Sequence, residues 1–251
     1  MLATVGIALF LGLIALGTWQ VYRLQWKLDL IERVERRVHS APQALPALAG
    51  WSQLDAKAME YQPSSLQGQW LTDKTVLTQA TTVLGSGFWV LTPLQQADGS
   101  QVLVNRGFVP DTLRRDWAGG PQLTAATPTG NVKVIGLLRA TEPKGGFLRD
   151  NDPQAGRWFS RDVQAIAQAQ GLTQVAPFFI DEGLPDGSAE VVGEQKRSSA
   201  SDLQSQPWPR AGLTQVRFVN NHLVYALTWY GLALMVAGAT WLVLRKRKRT
   251  R

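Results

Sequence analysis

Cysteine is absent from the 251 residues, which removes disulfides, thiolate metal sites and cysteine nucleophiles together. Histidine is nearly absent: His39 and His222 are the only two, so no multi-histidine metal centre can form. Phosphate-loop, HExxH, GxSxG and GxGxxG patterns are all missing. A serine-histidine-aspartate triad would need one of the two histidines, and neither lies among the predicted strands. Charge is missing from two long stretches, Met1–Tyr22 and Leu223–Leu244. Each exceeds the ~20 residues that a helix needs to cross about 30 Å of hydrocarbon.

What remains is segregated. All 19 acidic residues lie between the two uncharged stretches, as expected of a water-facing domain. Six of the 26 basic residues fall in the last seven positions, Arg245 to Arg251, leaving 20 basic against 19 acidic side chains elsewhere. A body so nearly neutral excludes the basic face of a nucleic-acid binder. A basic cluster flush against an apolar segment follows the positive-inside rule and predicts a cytoplasmic C-terminus. Two spans then put the N-terminus there too and the domain in the periplasm. The first segment is longer than a signal-peptide core and runs into an interfacial Trp19-Gln20-Val21-Tyr22, so an uncleaved anchor in a bacterial inner membrane is expected. The predicted fold class is a membrane protein: N- and C-terminal transmembrane helices flanking a β-rich α+β extracytoplasmic domain.

The predicted boundaries are a first span over 1–22 continuing as a juxtamembrane helix to about 39, a domain over 40–210, a second span over 223–244 and a basic tail over 245–251. Leu24, Leu28, Ile31 and Val34 keep helical spacing past the first span, and Pro42 and Pro46 close it. A short helix is predicted at Trp51–Met59. Strands are predicted at Ser65–Leu71, Val76–Thr78, Phe88–Leu91, Val102–Val104, Val132–Leu138 and Phe178–Ile180. Asp98-Gly99 marks a hairpin. A helix is predicted from an N-cap at Ser160 to a stop at Gly171, with Val163, Ile166 and Ala167 on one face. Ser198–Pro209 reads as a loop. Ala8 with Gly12, and Ala233 with Ala237, would let the spans approach closely. The acid pairs Asp150 with Asp152 and Asp181 with Glu182 stand beside glycine and proline and read as turn formers.

One titratable group sits oddly. A helix starting near Asn220 places His222, Tyr225 and Trp229 on one face by i, i+3, i+7 spacing, at the membrane boundary. An imidazole there is either a ligand for a haem iron or an interfacial histidine in an aromatic belt; both readings stand on the residues alone.

Several longer segments carry a resemblance. Gly17-Thr18-Trp19-Gln20-Val21-Tyr22-Arg23-Leu24-Gln25-Trp26-Lys27 is similar to the G-x-W-Q-x-x-R-x-x-W-K signature of the surfeit-locus (Surf/Shy-type) cytochrome oxidase assembly proteins. Val104-Asn105-Arg106-Gly107-Phe108-Val109-Pro110 resembles the family's V-N-R-G-W-V-P, with phenylalanine replacing tryptophan. Gly136–Arg139, Asn151–Pro153, Trp158–Asp162 and Asn220–Gly231 continue the likeness in order along the chain.

The resemblance implies a membrane-anchored, non-enzymatic assembly factor for haem-copper terminal oxidases, with haem a as a transiently bound cofactor. It implies partnership with the catalytic subunit, with haem a synthase as a second partner and membrane lipid as surroundings. His222 matches the family's candidate iron ligand. Arg23 and Arg217 would face the propionates, and Trp19, Tyr225 and Trp229 would pack the macrocycle; snorkelling to the interface explains the two arginines equally. The competing readings are a placeholder that holds an oxidase intermediate without haem, and a tethered hydrolase built on the acid pairs.

Overall fold

The computed structural model describes residues 2–143, 149–184, 207–214 and 220–249. The chain divides into a helical unit, Met1–Glu35 with Arg217–Arg251, and a sheet unit, Arg36–Val216.

The helical unit consists of α1 (Leu2–Val38, which runs on into the sheet unit) and the last helix of the chain, His222–Arg249. Both are long and apolar enough to cross a membrane. They run antiparallel: Gly6 lies against Thr240, Gly17 against the ring of Tyr230, and the Thr18 hydroxyl is 3.1 Å from that of Tyr230. Leu13, Ala226 and Ala233 are buried along the seam. Close approach is thus achieved with small residues, but only partly those expected. Ala233 is at the contact, whereas Ala8 and Ala237 are exposed and Gly12 faces open space. The 3.6-residue turn puts Gly6, Leu13 and Gly17 on the same stripe and carries Ala8 and Gly12 off it.

The sheet unit contains β1 (Gln43–Ala44), β2 (Pro63–Trp70), β3 (Val76–Thr82), β4 (Gly85–Gln95), β5 (Gln101–Pro110), α2 (Arg114–Trp117), α3 (Pro121–Ala125), β6 (Val132–Ala140), α4 (Val163–Gln170) and β7 (Val175–Glu182). The last helix of the chain is therefore α5. The strand order is β1-β2-β6-β7-β5-β4-β3, and β2 also pairs with β4 through Gln69–Gln95 and Trp70–Leu94. That extra pairing closes β2, β6, β7, β5 and β4 into a ring and leaves fewer bare edges. Leu66, Leu94, Val102, Val104, Val134, Leu138, Phe178 and Ile180, alternate residues of all five strands, pack into one cluster. Trp51 joins it with its ring edge-on to Phe178 at 5.9 Å. The other face, with Leu91, Leu103 and Phe179, is covered by Val163 and Ile166 of α4 and by Trp158.

The β4–β5 hairpin forms at the expected dipeptide. Asp98 Oδ1 accepts from the Ser100 amide at 3.0 Å and its hydroxyl at 2.6 Å, while Gly99 takes φ 83°. Gly171 ends α4 at φ 65° as predicted, but its N-cap is Asp162, whose side chain accepts from the Ala165 amide; Ser160 is instead buried against Asn151. Trp51–Met59 forms no α-helix: a 3-10 turn over Leu48–Gln53 is followed by turns, because Trp51 is drawn into the core. The loop predicted at Ser198–Pro209 lies outside the described residues up to position 206.

Candidate functional site

His222 opens α5, where its amide lies 3.4 Å from Asn220 Oδ1. It falls on the stripe of α5 that also carries Ala226, Tyr230 and Ala233, and so faces α1. There Nδ1 meets Gln20 Oε1 at 2.7 Å. An amide oxygen only accepts, so Nδ1 is the donor in this contact, and the neutral tautomer that fits it has its lone pair on Nε2. A hydrogen bond from the second ring nitrogen to a neighbouring acceptor is the arrangement that fixes the tautomer and the ring plane of metal-bound histidines.

The other expected residues are distributed around this pair. Trp19, the neighbour of Gln20, is 56% exposed, and Tyr225 is 53% exposed. Trp229 is half-buried, and both aromatics stand beside His222 on the helix surface. Arg23, one turn beyond Gln20, stacks its guanidinium over Trp26 at 4.1 Å. Stacking occupies the guanidinium's face and leaves its N–H edge to donate. Arg217 lies outside the described residues. The structure therefore gives His222 and Gln20 in contact, with Trp19, Arg23, Tyr225 and Trp229 at the same end of the helical unit. An imidazole, flat aromatic surface and a cationic edge are residue types that would suit a haem at this end of the helices. Gln20 appeared in the sequence only as a letter of a signature; its role needed the partner helix.

A second polar assembly lies within the sheet unit. Asp181, on β7, is 3% exposed and fully engaged. Oδ1 accepts from Asn105 Nδ2 at 2.8 Å and Arg161 Nη1 at 3.0 Å; Oδ2 accepts from Arg139 Nη1 at 2.9 Å and Thr214 Oγ1 at 2.8 Å. Arg161 forks onto Glu142 at 2.9 and 2.7 Å, and Arg139 reaches Glu60 at 3.2 Å. Burial pushes the Asp181 carboxyl up, but Arg161, Arg139 and the two neutral donors outweigh it and hold the group below the usual carboxylate range. The two arginines flank the ring of Phe179 at 4.7 and 5.9 Å.

These observations correct the reading of Asp181 and Glu182 as turn formers. Both are strand residues. In the parallel β5–β7 register Asn105 stands opposite Asp181, so Arg106 and Glu182 are cross-strand neighbours on the opposite face of the sheet. Burial raises the Glu182 carboxyl to about 7, with Arg106 pulling the other way. Arg106 is itself buried, donating to Thr127 Oγ1 at 2.7 Å and the Ala126 carbonyl at 2.8 Å and lying 4.9 Å from the Trp70 ring. It ties the end of α3 across the sheet. Gly107 follows it at φ 129°, with the backbone of Arg210 and Ala211 where a Cβ would stand. The Asn105-Arg106-Gly107 signature is thus explained by packing within this unit. Asp152 fits the turn expectation, pairing with Arg157 at 2.6 Å on the surface.

Comparison with known proteins agrees with the motifs. A profile of the SURF1 family matches residues 7–234. Human Surfeit locus protein 1 is 33% identical over 235 residues, covering 87% of this chain and 69% of the human protein. The rat protein of the same name is 32% identical over 247 residues, covering 92% and 71%. A SURF1-like protein of Dictyostelium discoideum is 26% identical over 245 residues, covering 87% of each. The matched range takes in nearly all of the first helix, the whole sheet unit and the first part of the last helix, and the chain belongs to the SURF1 family.

Proposed function

We propose that this chain is a non-enzymatic assembly factor for a haem-copper terminal oxidase, anchored in a bacterial inner membrane by α1 and α5. In this reading both termini are cytoplasmic, the domain is periplasmic, and haem a is held at the periplasmic end of the helices for the oxidase's catalytic subunit. The observation that carries the proposal is the 2.7 Å contact between His222 Nδ1 and Gln20. It orients an imidazole at the predicted membrane boundary and reserves Nε2 for a metal. Haem a, when bound, would supply an iron able to accept a nitrogen lone pair, and His222 would hold it.

The remaining work falls to the chain. Gln20 holds the imidazole plane, Tyr225, Trp229 and Trp19 offer flat apolar surface, and Arg23 with Arg217 balances propionate charge. The basic cluster from Arg245 onward supports the assigned orientation. Haem a synthase is the natural donor, because its product is too apolar to cross water unaided.

The test is the visible spectrum of the protein purified from cells that make haem a. Wild type should carry a stoichiometric Soret band, and His222→Ala should lose most of it. Wild type emerging without haem, yet still bound to the catalytic subunit from cells unable to make haem a, would replace this reading by the placeholder role.

A further inference from the structure

The two ends of the sheet are finished differently. β1, at one end, is only two residues long and offers little backbone for another chain to pair with. β3, at the other end, runs over Val76–Thr82 outside the closed ring. Its register with β4 is unbroken from Val76 opposite Leu91 to Thr82 opposite Gly85, so no bulge turns the edge aside. It contains no proline, and no charged side chain occurs from Thr75 to Ala97. Arg114 and Arg161 do stack on this hairpin, but over Phe88 and Trp89 of β4. The devices that ordinarily keep an edge strand from pairing are therefore missing from β3.

Trp158 covers part of this edge, its carbonyl accepting from the Gln79 amide at 2.8 Å. Gln79 thus turns its backbone away from β4, and Thr81, two residues on, does the same. Thr81 is exposed, and among the described residues neither its amide nor its carbonyl meets a backbone partner on the open side. Beyond it the chain turns at Val83, which is 69% exposed. The open stretch is therefore short and centred on Thr81, where one donor and one acceptor stand side by side. A second β3, laid antiparallel across a two-fold axis at Thr81, brings the same acceptor and donor and satisfies both copies at once. The two Thr81 side chains then form a favourable cross-strand pair, and no like charges are opposed. A longer foreign strand would run into Trp158 on one side and the turn on the other. We infer that β3 is a self-association edge, joining two copies of this chain through an antiparallel strand pair centred on Thr81.

The chain has no cysteine, so one introduced thiol reports one position. In such a pair the two Thr81 Cα atoms stand about 5.5 Å apart, inside the roughly 4.4–6.8 Å range that a disulfide bridges. The two Gln79 positions lie about 14 Å apart along the strands, too far to bridge. Full-length Thr81→Cys and Gln79→Cys, both at exposed positions, are oxidised in membranes and separated on a non-reducing gel. Thr81→Cys should form covalent dimer at least about tenfold faster than Gln79→Cys. Equal rates overturn the inference, because random collision does not distinguish the two positions, and absence of dimer from both overturns it as well. Sedimentation equilibrium of the full chain in detergent micelles supplies a second reading. Wild type should show a monomer–dimer equilibrium, and Thr81→Pro, which removes an edge N–H where proline is tolerated, should shift it to monomer with unchanged circular dichroism. Wild type that stays monomeric, or a dimer that Thr81→Pro leaves intact, contradicts the inference.

Discussion

Replacing Asp181 with asparagine is the sharpest perturbation the sheet unit offers. The side chain keeps its shape, but one carboxylate oxygen becomes an NH2 group facing donors. On whichever side it falls, it confronts one guanidinium and one neutral donor: Arg161 and Asn105, or Arg139 and Thr214. Two arginines, each 12% exposed, also lose the buried anion between them. Glu142 and Glu60 remain, so the guanidiniums are not left wholly uncompensated. Breaking a buried, hydrogen-bonded ion pair costs about 3–5 kcal/mol, and the surviving partners argue for the lower end, about 3 kcal/mol. That is a large fraction of an ordinary domain's stability of roughly 5–15 kcal/mol. Urea unfolding of the full chain in detergent micelles, followed by tryptophan fluorescence, reads the loss directly. Because the folded carboxyl titrates below its unfolded value, the Asp181 contribution is complete above about pH 4 and is lost as pH falls through the folded value. The acid limb of the stability curve should therefore shrink in the variant. Asp152→Asn, at the exposed pair with Arg157, should change little. A variant at Asp181 unfolding at the wild-type midpoint would refute the assignment of this cluster as a principal tie of the fold.

Other perturbations follow from the same geometry. Gln20→Leu removes the acceptor of the His222 N–H and should weaken haem a binding by about 10–100-fold in a spectral titration, with the far-ultraviolet circular dichroism unchanged. Gly107→Ala places a Cβ 2.4 Å from the Arg210 backbone at a φ of 129° and should destabilise the sheet unit by more than about 2 kcal/mol in the urea assay. Glu182 has a folded carboxyl raised to about 7, so its burial is tolerated at low pH and stability is lost as pH climbs from the unfolded carboxylate range through neutrality. Glu182→Gln should flatten that decline, gaining on the order of 1–3 kcal/mol near pH 8.

The elements that were legible in the sequence are those whose signal is local. Uncharged runs marked α1 and α5, Asp98-Gly99 marked the β4–β5 turn, and Gly171 marked the end of α4. Strands run past their sequence pattern where pairing with a neighbour extends them. β5 continues from Val104 to Pro110 because β4 pairs with it as far as Gly87, and that stretch looks like a loop motif when taken alone. The Asp181 cluster was hidden for a related reason. Its members come from positions 60, 105, 139, 142, 161, 181 and 214, and only the closed ring of strands brings them together. Gly-flanked acids read as turns by local rules, and two arginines from distant segments reverse that reading. At the candidate site His222 stands out because it is a titratable group at the edge of an uncharged run. Gln20 does not, since nothing in a single helix indicates which residue the other helix will meet.

The central proposal is that His222 would hold haem a through its imidazole, and chemical rescue addresses it most directly. His222→Gly protein, purified free of haem, is titrated with haem a in the presence and absence of added imidazole. The account predicts weak, high-spin binding alone and recovery of the wild-type spectrum and stoichiometry when imidazole fills the space left by the side chain. Wild-type binding by the glycine variant without imidazole would contradict it.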